Sequence, residues 1–294
     1  MTKLRITVVL LALVGALNSW SQGFGNRELI NADWYFNLGD IKYGGSEYFD
    51  HSEWRKLELP HDWSVEAVAS PELASCTGYL PGGIGWYRKD LDIPKVQNGN
   101  KVYIYFEGIY NNSEVFINGK WIGKRPNGYV SFMYELTPYL KFGGRNVLAV
   151  RVDHSQDADS RWYTGSGIYR DVYLVYANPV HIRLWGVSYS AKVNKKNAVL
   201  SVQTEVDNTG KLPVAVKVLH EVFDRDGKKV GAGSLDYSLR AGEMVKKELA
   251  VSIVQPKLWS LEDPYLYTIR TTLSKGGKVI DRTETRAGIR SLTF

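Results

Sequence analysis

The chain has 294 residues, 44% hydrophobic and 23% charged, with a formal net charge of +6. These are ordinary values for two globular domains, and they exclude a disordered, collagenous, coiled-coil or polytopic membrane protein. Cys76 is the single cysteine, which excludes a disulfide framework and a cysteine-based zinc site.

The first segment, residues 1–21, has the pattern of a signal peptide. Lys3 and Arg5 form a positive start, and residues 6–17 make an apolar run too short to span a bilayer comfortably. Ser19 and Ser21 supply the small residues before a cut ahead of Gln22. The expectation is an exported protein, periplasmic or secreted, with no stable membrane insertion after cleavage. Lys3 and Arg5 also supply two of the excess positive charges. The remaining Lys and Arg form no run interleaved with stacking aromatics, so nucleic acid is not expected as a partner.

After Gln22, no window carries the apolar spacing and caps of a helix. Short runs rich in aromatic and β-branched residues recur instead, in a chain that is 13% aromatic. Residues 102–106, Val-Tyr-Ile-Tyr-Phe, form one such run. Residues 114–117 and 120–123 flank Asn118-Gly119, the dipeptide of a two-residue hairpin turn. Residues 146–152 and 171–176 are further strands. A boundary falls near Asn178-Pro179, after which alternation is plainer. Residues 199–206 and 214–223 follow, and Asp226-Gly227 turns the chain back to Lys229-Val230. Residues 266–273 and 279–285 flank Gly276-Gly277. The reading is an all-β protein of two sandwiches, residues 22–178 and 179–294. The second has about seven strands, the size of an immunoglobulin-like domain, and lacks the disulfide of that fold.

Standard catalytic constellations are missing. There is no phosphate-cradling glycine loop, and Gly165-Ser166-Gly167 lacks the spacing of a nucleophile elbow. The five histidines show no metal-ligand spacing, so no metal or other cofactor is expected. His61 and Asp62 are neighbours, and neighbours on a strand point to opposite faces, so structural pairing is expected rather than a dyad. Asp153, Asp157 and Asp159 precede Arg161-Trp162-Tyr163. Carboxylates beside aromatic rings suit sugar hydroxyls and sugar faces, and two such carboxylates are also what glycoside hydrolysis requires.

Several segments, taken together and in order, resemble the N-terminal region of glycoside hydrolase family 2, most closely its β-galactosidases. They are Trp34-Tyr35-Phe36, Leu59-Pro60-His61-Asp62-Trp63-Ser64, Gly85-Trp86-Tyr87-Arg88-Lys89, Phe106-Glu107-Gly108 and Val115-Phe116-Ile117-Asn118-Gly119. Asn127-Gly128-Tyr129 follows, then the run from Ser160-Arg161-Trp162-Tyr163 to Ile168-Tyr169-Arg170-Asp171-Val172. Leu258-Trp259-Ser260, Pro264-Tyr265-Leu266-Tyr267 and Gly288-Ile289-Arg290 complete the set.

The resemblance implies a jelly-roll, galactose-binding-like sandwich, then an immunoglobulin-like sandwich, then a TIM barrel holding two catalytic glutamates. No residue here matches either glutamate motif, and a barrel needs about 250 further residues. The implied role is the non-catalytic N-terminal part of a secreted retaining β-galactosidase. The missing TIM barrel and β-galactoside glycans are the implied partners. Some family members send a first-domain loop into the barrel's pocket. By position, Asp159, Ser160, Arg161, Trp162 and Tyr163 are the candidate substrate-binding rim, with the aspartate one residue earlier than in those members. The alternative is a free-standing, lectin-like carbohydrate-binding module. Exposure of Trp86, Trp121 and Trp162 in a groove would favour it, and their burial would count against it.

Overall fold

The computed structural model describes residues 25–156, 160–194 and 196–291. The leader at 1–21, and Asp157 and Asp159 of the loop before Trp162, lie outside the described residues.

The first half is a jelly-roll β-sandwich. Its strands are β1 (Asn26–Leu29), β2 (Trp34–Leu38), β3 (Arg55–Leu57), β4 (Gly83–Asp92), β5 (Lys101–Phe106), β6 (Ser113–Ile117), β7 (Lys120–Arg125), β8 (Phe132–Glu135), β9 (Arg145–His154) and β10 (Val172–Ala177). One sheet has the order β1-β10-β5-β8 and the other β3-β2-β4-β9-β6-β7. The first strand therefore pairs with the last, Asn26 opposite Tyr176. Helix among the described residues is limited to 3-10 turns.

Alternation along β5 explains its place. Val102, Ile104 and Phe106 point into the core beside Val115, Ile117, Phe132 and Leu174. Tyr103 and Tyr105 point the other way, toward the second sandwich. On β4, Tyr87 faces the core while Trp86 and Arg88 face outward under a covering loop. Arg88 is fully buried there. It donates to His51 Nδ1 at 3.2 Å and to the carbonyls of Gly44 and Phe49. A buried guanidinium needs such acceptors, since unpaired it would cost several kcal/mol. In the β6–β7 hairpin, Asn118 and Gly119 have φ of 49° and 77°, as a two-residue primed turn requires.

The second half is an immunoglobulin-like sandwich. Its strands are β11 (Val180–Val193), β12 (Asn197–Asn208), β13 (Val214–Phe223), β14 (Lys229–Leu239), β15 (Met244–Val254), β16 (Leu266–Lys275) and β17 (Lys278–Gly288). A sheet β11-β12-β15 packs on a sheet β14-β13-β16-β17. Two apolar clusters fill it. One holds Leu200, Val202 and Ile269, the other Val206, Val218 and Leu273. The buried side chain of His220 bridges the two sheets. Its Nε2 meets Thr204 Oγ1 at 3.2 Å and its Nδ1 meets Thr271 Oγ1 at 3.0 Å.

The halves meet through a small apolar contact. Tyr103, Tyr105, Val175 and Ala177 of the first sandwich pack with Leu184 of β11.

Candidate functional site

The connection from β9 to β10 folds over one end of the first sandwich. Its path is set by the segment that follows cis-Pro60. His61 N–H donates to Ile168 O at 2.8 Å, and Trp63 N–H donates to Ser166 O at 3.1 Å. Asp62 lies between them and ties the two segments. Its Oδ1 accepts the backbone N–H groups of Ser64 at 3.0 Å and Ser166 at 2.8 Å. Its Oδ2 accepts the Tyr163 hydroxyl. Burial, reinforced by this carboxylate, holds the Tyr163 hydroxyl well above the usual phenol range. Gly165 has φ of 74°, and a Cβ there would sit 2.9 Å from Asp62 Oδ2. The approach of the loop to Asp62 thus requires glycine at that position.

Four of the five predicted rim residues are among the described ones. Ser160 Oγ donates to Trp162 O at 2.6 Å and stabilises the turn. Arg161 is exposed. Trp162 is 59% exposed, and its Nε1 donates to the Tyr129 hydroxyl at 2.8 Å. Tyr163 is exposed beside it. Asp159 falls outside the described residues. The loop thus presents Trp162, Tyr163 and Tyr129 together as an open aromatic surface. Such rings stack on the apolar face of a pyranose while indole and phenol groups keep polar partners.

A buried polar layer supports this surface. Ser166 Oγ lies 2.6 Å from both Ser64 Oγ and His154 Nδ1. Ser64 Oγ donates to Pro81 O at 2.7 Å. A carbonyl only accepts, so the protons run from His154 through Ser166 and Ser64 to Pro81. His61 meets the Tyr87 hydroxyl at 2.7 Å through Nδ1. Arg55, which can only donate, meets His61 Nε2 at 2.8 Å. Burial pushes the His61 pKa down, consistent with a neutral ring that accepts from Arg55. His61 and Asp62 therefore serve different networks and form no dyad. Burial alone would raise the Glu66 pKa, but the two hydrogen bonds and the charge of Arg55 hold it below the usual carboxylate range.

Sequence reasoning named neither Asp62 nor Tyr129 as site residues. Both stand in the matched segments Pro60-His61-Asp62-Trp63 and Asn127-Gly128-Tyr129. The spacing of Asp62 two residues before Ser64 is a recognisable turn signal, but its second partner, Ser166, is far away in sequence. Of the three tryptophans that bear on a free-standing module, Trp86 is buried, while Trp121 and Trp162 are 57% and 59% exposed. Among the described residues, no three His, Cys, Asp or Glu side chains cluster as a metal site.

Two family models match adjoining stretches of the chain. The one described as "Glycosyl hydrolases family 2, sugar binding domain" covers residues 29–179, and "Glycosyl hydrolases family 2" covers residues 180–290. The chain belongs to glycoside hydrolase family 2. Among family 2 relatives, the β-galactosidase BoGH2A of Bacteroides ovatus is 42% identical over 91% of this chain and 32% of its own length. A putative β-glucuronidase of Formosa agariphila is 37% identical over 90% of this chain and 25% of its own length. A family 2 crystal structure from Bacteroides cellulosilyticus superposes with a TM-score of 0.84 at 34% identity, covering 91% of this chain and 37% of that one. A β-glycosidase from Bacteroides vulgatus gives a TM-score of 0.82 at 40% identity, covering 92% of this chain and 34% of that one. The chain therefore spans between a quarter and about a third of the length of the curated relatives named here.

Proposed function

We propose that this chain forms the sugar-binding and immunoglobulin-like part of an exported, retaining β-galactosidase, with the Ser160–Tyr163 loop as one wall of the substrate pocket. The observation that carries the reading is the exposed Trp162–Tyr163–Tyr129 surface, anchored through Asp62 at the end of the sandwich. A large indole left in solvent at an anchored loop is more readily explained by a sugar or a neighbouring domain than by packing. Arg161 extends the same rim with a group that can bond sugar hydroxyls. The bond-breaking carboxylate pair belongs, in this reading, to a catalytic barrel beyond these two sandwiches. Galactoside is preferred to glucuronide because the B. ovatus relative, named a β-galactosidase, is the more similar of the two compared. Export is inferred from the leader pattern in residues 1–21.

The test uses the 294-residue chain and an enzyme that joins it to a family 2 barrel. The chain alone should release no chromophore from a nitrophenyl β-galactoside. In the joined enzyme, Trp162→Ala should lower galactoside turnover by about tenfold or more, while the melting temperature moves by less than about 2 °C, as for an exposed side chain. Turnover by the chain alone, or unchanged turnover in the variant, rejects the reading. The exposed Trp121 gives the lectin-like alternative some footing. Calorimetric binding of galactose or lactose by the chain alone, lost in Trp121→Ala and not in Trp162→Ala, would favour it.

A further inference from the structure

Three strands that end their sheets, β1, β11 and β17, come together where the two sandwiches meet. They border a cleft of about 390 Å³, within the roughly 300–1,000 Å³ of small-molecule sites. Each strand contributes one arginine to it: Arg27, Arg183 and Arg286. The lining carboxylate, Glu284, is already held by Arg270 Nε at 2.8 Å. Arg183 has a distant ion pair, Asp207 at 3.9 Å. Arg27 lies over the Tyr105 ring at 4.6 Å, and its buried Nε has no hydrogen-bond partner among the described residues. The cleft thus sets three guanidinium groups against one carboxylate that is already paired.

Beside these arginines stands a costly tryptophan. Ile182 pairs with Val206 and Val187 with Thr204, so residues 183–186 of β11 face Glu205 alone on β12. This detour sends Leu184 into the apolar contact between the sandwiches. It leaves Trp185 with φ of 55°, 63% exposed, at the cleft and edge-on to Tyr105 at 6.3 Å. A bulky residue in left-handed backbone is strained, and a ring that is mostly exposed, with one edge contact to Tyr105, gains little packing in return.

We propose that this cleft binds an acidic pyranoside, its ring stacked on Trp185 and its carboxylate or sulfate held by Arg27, Arg183 and Arg286. Guanidinium forks match both anions in a bidentate manner, and indole supplies the ring face. A neutral sugar lacks the anion, and an inorganic anion lacks the ring. The site shares no residue with the Ser160–Tyr163 loop and does not depend on the galactosidase reading.

The full chain is titrated by calorimetry with methyl β-glucuronide, galactose 6-sulfate, methyl β-galactoside and sodium sulfate. At least one acidic sugar should bind tenfold or more tightly than both the neutral sugar and the inorganic anion. The preferred acidic sugar identifies the anion as carboxylate or sulfate. Binding should weaken in about 0.5 M salt, since the arginines are partly exposed. Arg286→Gln and Trp185→Ala should each weaken it by about fivefold or more. Arg183→Gln, also on an exposed side chain, repeats the test should the tryptophan variant fold poorly. Equal binding of acidic and neutral sugars, no binding of either acidic sugar, or binding unaffected by both arginine variants overturns the proposal.

Discussion

At the scale of single residues, Asp62 is the side chain on which the candidate site turns. It is the acceptor for two backbone N–H groups from segments a hundred residues apart and for the Tyr163 hydroxyl. Asp62→Ala leaves those donors unmatched, and should destabilise the first sandwich by about 2–4 kcal/mol in urea unfolding. Tyr163→Phe removes one of these three bonds from a half-exposed side chain and should cost less, about 1 kcal/mol. Equal losses in the two variants would mean that the loop, rather than the carboxylate, carries the stability. The sequence made Trp162 and Tyr163 visible as candidates because they stand in an aromatic run with Ser, Arg and Asp. Asp62 was hidden by its neighbour His61. Read together they look like a charged pair, yet one serves Tyr87 and the other the loop. Tyr129 was hidden for a different reason. Its bond to Trp162 joins positions 33 residues apart, which no local pattern encodes.

At the scale of strands, alternation made β12 and β13 legible, since each buries one regular set of side chains. β5, β9 and β10 are buried on both faces over most of their length and were legible as short aromatic and β-branched runs, and the β6–β7 hairpin by its Asn118-Gly119 turn. Other strands escaped the pattern for identifiable reasons. β4 carries the buried Arg88, so its covered outer face reads as polar. β11 loses its period of two at residues 183–186, where the detour to Trp185 occurs. β15 turns Lys246, Lys247 and Glu248 to solvent and reads as a charged loop. Within the second sandwich, the His220 bridge makes a prediction about pH. Burial lowers its pKa from 6.5 to about 4. The folded state thus refuses a proton that the unfolded chain accepts, and stability falls as pH drops from 6.5 toward 4. The loss should reach about 3 kcal/mol. His220→Gln takes no proton, so its urea stability should fall by about that much less than the parent's between pH 7 and pH 4. Parallel losses in the two proteins would contradict the assignment.

At the scale of the whole molecule, Leu184 sits in the apolar contact that joins the sandwiches. That contact predicts a single calorimetric melting transition for the chain. Leu184→Asp places a charge among Tyr103, Tyr105 and Val175, and should split the trace into two transitions. One transition retained in the variant would show that the sandwiches are coupled elsewhere. The pairing of β1 with β10 sets the order of assembly. Asn26 meets Tyr176 across 150 residues of chain. During synthesis β1 therefore emerges long before its partner and waits with its backbone unpaired. The first sandwich closes only after Ala177 has appeared, whereas β16 and β17 can join as soon as they are made. Contacts of such long range slow folding, and a waiting strand invites association with other chains. A binding chaperone would thus be needed early and over the first half of the chain. Pulse-labelled chains arrested before residue 170 should be far more sensitive to protease than chains arrested after the second sandwich begins.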